Sequence, residues 1–182
     1  MVRTPLWKMA VVLAAALMTA GCPRILYLNY QPSTSLKGHG PVQVDAFVYS
    51  GHPTGLVKMK EVESSSKDVE ALYLSQDIGV FFTNALRSEL AFAGYELQPA
   101  SARIASGKIE QFYLEYVGEQ DQLFQIVATF YVAAKDGSSF TSSCRSSQRQ
   151  PKYWMKTGLL IKSGITECVE QFMKAAQAAG AL

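Results

Sequence analysis

The apolar residues of this chain change period twice, and that change limits the fold more than any single motif does. Ile78, Phe81, Phe82, Ala85, Leu86, Leu90 and Ala93 recur at helical spacing, which predicts a helix with a broad apolar face. Ser75 is a good N-cap, Asp77 suits the positive end of the helix, and Gly94 is a natural stop. Thr83, Asn84, Arg87 and Ser88 fall on the polar side, whereas Glu89 falls inside the apolar sector. After Gly94 the period shortens to two, and strands are expected over residues 95–97, 107–117, 123–134 and 138–147. Within the second of these the apolar parity switches between Ile109 and Phe112, which implies a bulge near Glu110–Gln111. Asp136-Gly137 marks a hairpin. Helical spacing then returns over residues 158–179, with Ile161, Ile165, Cys168, Val169, Phe172 and Ala176 as its stripe. Upstream, residues 25–30 read as a short strand or an extended segment. Val42, Val44, Ala46 and Val48 share one face of a strand over 42–49, and residues 50–73 are the least regular stretch. This order predicts an α+β fold, a two-layer sandwich in which two amphipathic helices cover one face of a mostly antiparallel sheet of about four to six strands.

The N-terminus has a different logic. Arg3 and Lys8 precede an unbroken apolar run from Met9 to Met18, and Thr19, Ala20 and Gly21 lead directly to Cys22. As a helix the run would extend roughly 15 Å against a bilayer core of roughly 30 Å, so it suits an export signal better than a membrane span. The segment resembles a bacterial lipoprotein signal, which implies that Cys22 becomes the first residue after cleavage and carries acyl chains. Thr19 stands where such signals usually have leucine. Cleavage near Gly21 that leaves a soluble periplasmic protein is therefore the alternative. The expected organisation is a signal over 1–21, a lipidated N-terminus and extended segment over 22–41, and a single α+β domain over 42–182.

Charge follows from that division. The chain has 17 Lys+Arg against 15 Asp+Glu, and the two basic residues of the signal account for the excess. The remaining domain is formally neutral, which argues against a nucleic-acid partner. With Cys22 acylated, Cys144 and Cys168 are left as an even pair in an oxidising compartment. Both are placed to face the same sheet–helix interface, as a disulfide or as two separate buried thiols.

Catalytic chemistry has little to draw on. His39 and His52 lie in separate Gly/Pro-flanked loops with no ligand spacing beside them, so no metal or cofactor is expected. No phosphate loop or nucleophile elbow is found. Glu89 is either a proton-sensitive site or a structural hydrogen-bonding group. Arg145, Arg149, Lys152, Lys156 and Lys162 run without an intervening acid around Tyr153, Trp154 and Met155. A headgroup, a lipid phosphate or an acidic protein partner would suit that surface, and so would a plain solvated loop packed on the sheet edge.

Several short stretches resemble the YajG-type family of small bacterial lipoproteins. They are Ile25-Leu26-Tyr27-Leu28-Asn29-Tyr30-Gln31-Pro32, Tyr73-Leu74-Ser75-Gln76-Asp77, Ala85-Leu86-Arg87-Ser88-Glu89-Leu90 with Ala93-Gly94-Tyr95, the strand start Gly107-Lys108-Ile109, and the terminal helix. The resemblance implies an envelope location and an α+β domain and carries no catalytic residues. A more distant likeness in layout is to auxiliary lipoproteins of lipid-transporting ABC systems and to the lipoprotein that helps assemble lipopolysaccharide export. The expectation is a non-enzymatic lipoprotein anchored to the outer membrane through Cys22, its domain facing the periplasm. It would serve as an accessory or partner-binding subunit of an envelope assembly or transport system. Pro23, in place of an aspartate, favours the outer membrane by resemblance to enterobacterial sorting. The alternative is a binding module for a hydrophobic or lipid-like ligand, held between sheet and helices against Phe81, Phe82 and Phe172.

Overall fold

The computed structural model describes residues 24–51, 59–64, 71–118, 121–151 and 157–182. In chain order the elements are β1 (Arg24–Leu26), β2 (Pro41–Val44), β3 (Val48–Tyr49), β4 (Glu61–Ser64), β5 (Leu72–Leu74), α1 (Ile78–Ala93), β6 (Glu96–Leu97), β7 (Arg103–Val117), β8 (Asp121–Ala134), β9 (Ser139–Pro151) and α2 (Thr157–Ala178).

The sheet overturns the expected two-layer sandwich with its four to six mostly antiparallel strands. Among the described residues nine strands form one mixed sheet, and five of their eight pairings are parallel. The long strand β7 has the antiparallel β8 on one side. Along its other side β2, β3 and β4 lie end to end, all parallel to it. Parallel pairing needs a crossover, and α1, between these short strands and β7, supplies it. Local alternation reports which residues share a face and says nothing of strand direction, so the short parallel strands were not visible in the period.

The expected single strand over 42–49 is broken for a specific reason. The Phe47 N–H donates to Thr83 Oγ1 at 2.9 Å, so the chain leaves the ladder between β2 and β3 and its inward parity flips. Val42 and Val44 are buried before the break, and Phe47 and Tyr49 after it. Thr83, expected on the polar side of α1, is buried to make this bond. The bulge is found between Ile109 and Gln111. It moves the buried set of β7 from Ala105 and Ile109 to Phe112 and Leu114.

Both helices lie against the same face of the sheet. Phe130 of β8 stacks on Phe172 of α2, with centroids 4.6 Å apart, and touches Phe82 of α1. Gln122, Phe124, Ile126, Ala128, Phe130 and Val132 alternate into this core. The N-cap of α1 is Asp77 rather than Ser75, and Gly94 closes the helix in the left-handed conformation that a side chain would strain. Cys144 of β9 and Cys168 of α2 form a disulfide with Cα atoms 5.3 Å apart. Residues 27–40 run along the two helices as a strap. The Tyr30 ring meets Phe81 of α1 edge-on, and Gly38 N–H donates to Ala93 O at the far end of α1.

Candidate functional site

Glu89 explains how the strap is held. Its place in the apolar sector of α1 leaves it 0 % exposed, and a bare carboxylate there would be costly. Three donors from the strap compensate. Tyr30 OH donates at 2.6 Å, Ser33 N–H at 3.1 Å and Thr34 N–H at 2.9 Å. Tyr30 also shares a hydrogen bond with Thr166 of α2, so one phenol joins the strap to both helices. Burial, and then the bond to Glu89, push the Tyr30 phenol well above its ordinary pKa. A second pair of this kind joins Tyr49 of β3 to Glu63 of β4, and burial raises that phenol too.

At the end of α1 where Gly94 lies, the chain leaves a polar pole. Arg103, at the start of β7, donates to the carbonyls of Pro41 and His39 at 3.2 Å each and lies 5.9 Å over the Tyr95 ring. Gln177 of α2 bonds Tyr95 OH and the Lys37 carbonyl. Two open cavities share Arg103 as a wall. One, of about 360 Å³, includes His39, Tyr95, Gln177 and Leu182. The other, of about 600 Å³, includes Lys135, Asp136, Ser139, Phe140 and Ala181. The walls offer a guanidinium, amines, hydroxyls, the Asp136 carboxylate, the His39 imidazole and a phenyl ring. Sequence reasoning missed this pole, because Tyr95 comes from the turn after α1, Arg103 from β7 and Gln177 from α2, and they form no local motif.

Of the residues singled out in the sequence, the described ones fall on different elements. Arg145 and Arg149 are exposed on β9, at the parity opposite Cys144 and Ser146, which face α2. They therefore point from the sheet face away from the helices, roughly 13 Å apart along the strand. Arg149 is paired with Asp121 at 2.6 Å, an acid brought across from β8 that the linear charge run did not show. Lys162 donates to the Asn29 carbonyl of the strap. Cys22, His52, Lys152, Tyr153, Trp154 and Lys156 lie outside the described residues. Among the described residues no cluster of three or more metal-ligating side chains occurs, and no helix is long and apolar enough to cross a membrane.

No protein-family model matches the chain, and no curated protein matches it. Solved structures do share the fold. XCC0632 from Xanthomonas campestris, described as DUF330, is 9% identical with a TM-score of 0.62, covering 86% of this chain and 96% of its own. An uncharacterised protein is 12% identical with a TM-score of 0.57, covering 87% of this chain and 99% of its own. The lipoprotein GNA1162 from Neisseria meningitidis aligns with a TM-score of 0.39 at 14% identity over 66% of this chain and 90% of its own. The first two likenesses establish a shared fold and nothing finer.

Proposed function

We propose that this protein is a non-catalytic cell-envelope lipoprotein of YajG-type character. Cys22 anchors it to the outer membrane, and its domain faces the periplasm as an accessory or partner-binding subunit of an assembly or transport system. The observation that carries this reading is where the reactive interior groups are engaged. Glu89 holds the strap, Cys144 and Cys168 are bonded to each other, and Glu167 accepts from Ser146 and Gln148. These groups stabilise the fold, which leaves the surface to do the work. The Arg103 pole and the Arg145–Arg149 face are the surfaces a partner would meet, and Lys152, Tyr153, Trp154 and Lys156 follow Arg149 in the sequence.

The alternative, a lipid-like ligand held between sheet and helices, needs space beside Phe81, Phe82 and Phe172. Phe47, Phe82, Phe130 and Phe172 fill that region by ring-on-ring contact, which counts against it. Fractionation of Cys22→Ser tests the anchor, with release from the membrane expected. Retention of the variant in the membrane would overturn lipid anchoring. Photo-cross-linkers at Ser147 and Lys135 test partner binding, each expected to capture a defined envelope protein. Capture of nothing, with lipid co-purifying, would transfer the case to the alternative.

A further inference from the structure

An exposed apolar patch lies where the chain enters the domain. Tyr27 is 83 % exposed, Met59 57 % and Ile25 49 %, although single exposed apolar residues are ordinary and only their grouping is informative. Here they are grouped. Ile25 and Tyr27 line one shallow depression of about 290 Å³ with Lys60, Tyr73, Leu74 and Ser75, and Met59 adjoins Lys60 in the chain. The sheet register sets Ile25, Tyr73 and Glu61 in a row across β1, β5 and β4. Lys60 supplies a cation and Glu61 an acid, a mixed set that suits zwitterionic headgroups better than a strongly charged partner.

The covalent distance to Cys22 decides what covers this patch. Arg24 is already paired in the sheet, opposite Leu72. It follows Cys22 by two residues, so their Cα atoms are at most about 7 Å apart. The interfacial layer of each leaflet is of similar thickness, roughly 6–7 Å. An acyl-bearing Cys22 therefore holds β1 at headgroup level, with no flexible tether to lift the domain away.

We infer that the Ile25–Tyr27–Met59 patch is a membrane-seating face that lies in the interfacial layer of the bilayer carrying the Cys22 anchor. The inference rests on the lipidation reading above. Tyrosine suits that depth, with an apolar ring and a polar hydroxyl. The seat also sets the orientation of the molecule. Ile78 N–H bonds the Met59 carbonyl, so the patch adjoins the start of α1. The Arg103 pole adjoins the other end, roughly 24 Å along the helix, and is thereby kept apart from the seat.

The test uses the acylated full-length lipoprotein in vesicles of phosphatidylethanolamine and phosphatidylglycerol containing nitroxide-labelled phosphatidylcholine. Tyr27→Cys and, as control, Phe92→Cys each carry an environment-sensitive fluorophore. Phe92 is 55 % exposed near the far end of α1. Nitroxide quenching is expected to be at least about fivefold stronger at position 27 than at 92. The double variant Ile25→Glu/Tyr27→Glu, its fold checked by circular dichroism, is expected to leave the vesicles faster than wild type. Equal quenching at both positions on a chain whose mass shows acylation overturns the seating face and leaves the anchor standing. A mass without acyl chains overturns the anchor, and the seating face falls with it. A specific protein cross-link from position 27 in native membranes, together with absent quenching, assigns the patch to a protein instead.

Discussion

Glu89 illustrates how a single side chain can fasten a segment remote in sequence. Its carboxylate replaces lost water with one phenol and two backbone N–H groups, all from residues 30–34, and bonds to a charged group outweigh neutral ones. Glu89→Gln removes the charge and puts an amide donor in place of one acceptor oxygen, facing either the Ser33 and Thr34 N–H groups or Tyr30 OH and the Ser33 N–H. We expect it to cost about 2 kcal/mol, read as a lower urea midpoint. Tyr30 and Tyr49 lead to a second prediction. Both phenols are raised in the folded protein, so the unfolded chain loses these protons first, from about pH 10. Stability is thus full below pH 10 and falls as pH climbs toward the folded values. Tyr30→Phe/Tyr49→Phe should flatten this alkaline limb in denaturation series taken from pH 8 upward.

Among the elements, β8 is the frame on which the rest is built. It is hydrogen-bonded along its length to β7 on one side and β9 on the other. It carries apolar residues at both parities, yet Tyr131 is exposed and Leu123 and Val127 are only half-buried. The strand is central in the ladder and covered on one face only. Strand β9 has α2 fastened across it by Cys144–Cys168, a link spanning 24 residues of sequence. Closing a loop of that size removes unfolded-state entropy worth about 3 kcal/mol. Adding reductant to the purified protein should lower its urea midpoint accordingly, and an unchanged midpoint would mean that the pair is not bonded. The helices were the most legible elements, because residues such as Ile78, Phe82, Leu86 and Leu90 repeat over four turns. Strands as short as β3 and β6, of two residues each, leave no period to read.

On the scale of the whole molecule, the strap and the crossover tie the N-terminal segment, both helices and the sheet into one unit. The Thr34 amide, bonded to Glu89 inside this unit, should exchange with solvent nearly as slowly as the amides at the centre of β8. Rapid exchange at Thr34 would show that the strap detaches by local opening. By itself the sequence determined the two amphipathic helices, the long β7–β8–β9 run with its bulge and its Asp136-Gly137 hairpin, and the placement of Glu89 in an apolar sector. Each of these is a property of neighbours along the chain, carried by side-chain period and turn chemistry. Tertiary structure alone decided the parallel pairing of β2, β3 and β4 with β7, the partners of Glu89, the Asp121–Arg149 pair, the convergence of Tyr95, Arg103 and Gln177, and the grouping of Ile25 and Tyr27 with Lys60. Each of these depends on at least one contact between groups far apart in sequence. What selects it is the closing of the shared core and the demand of buried polar groups for partners, neither of which leaves a local pattern.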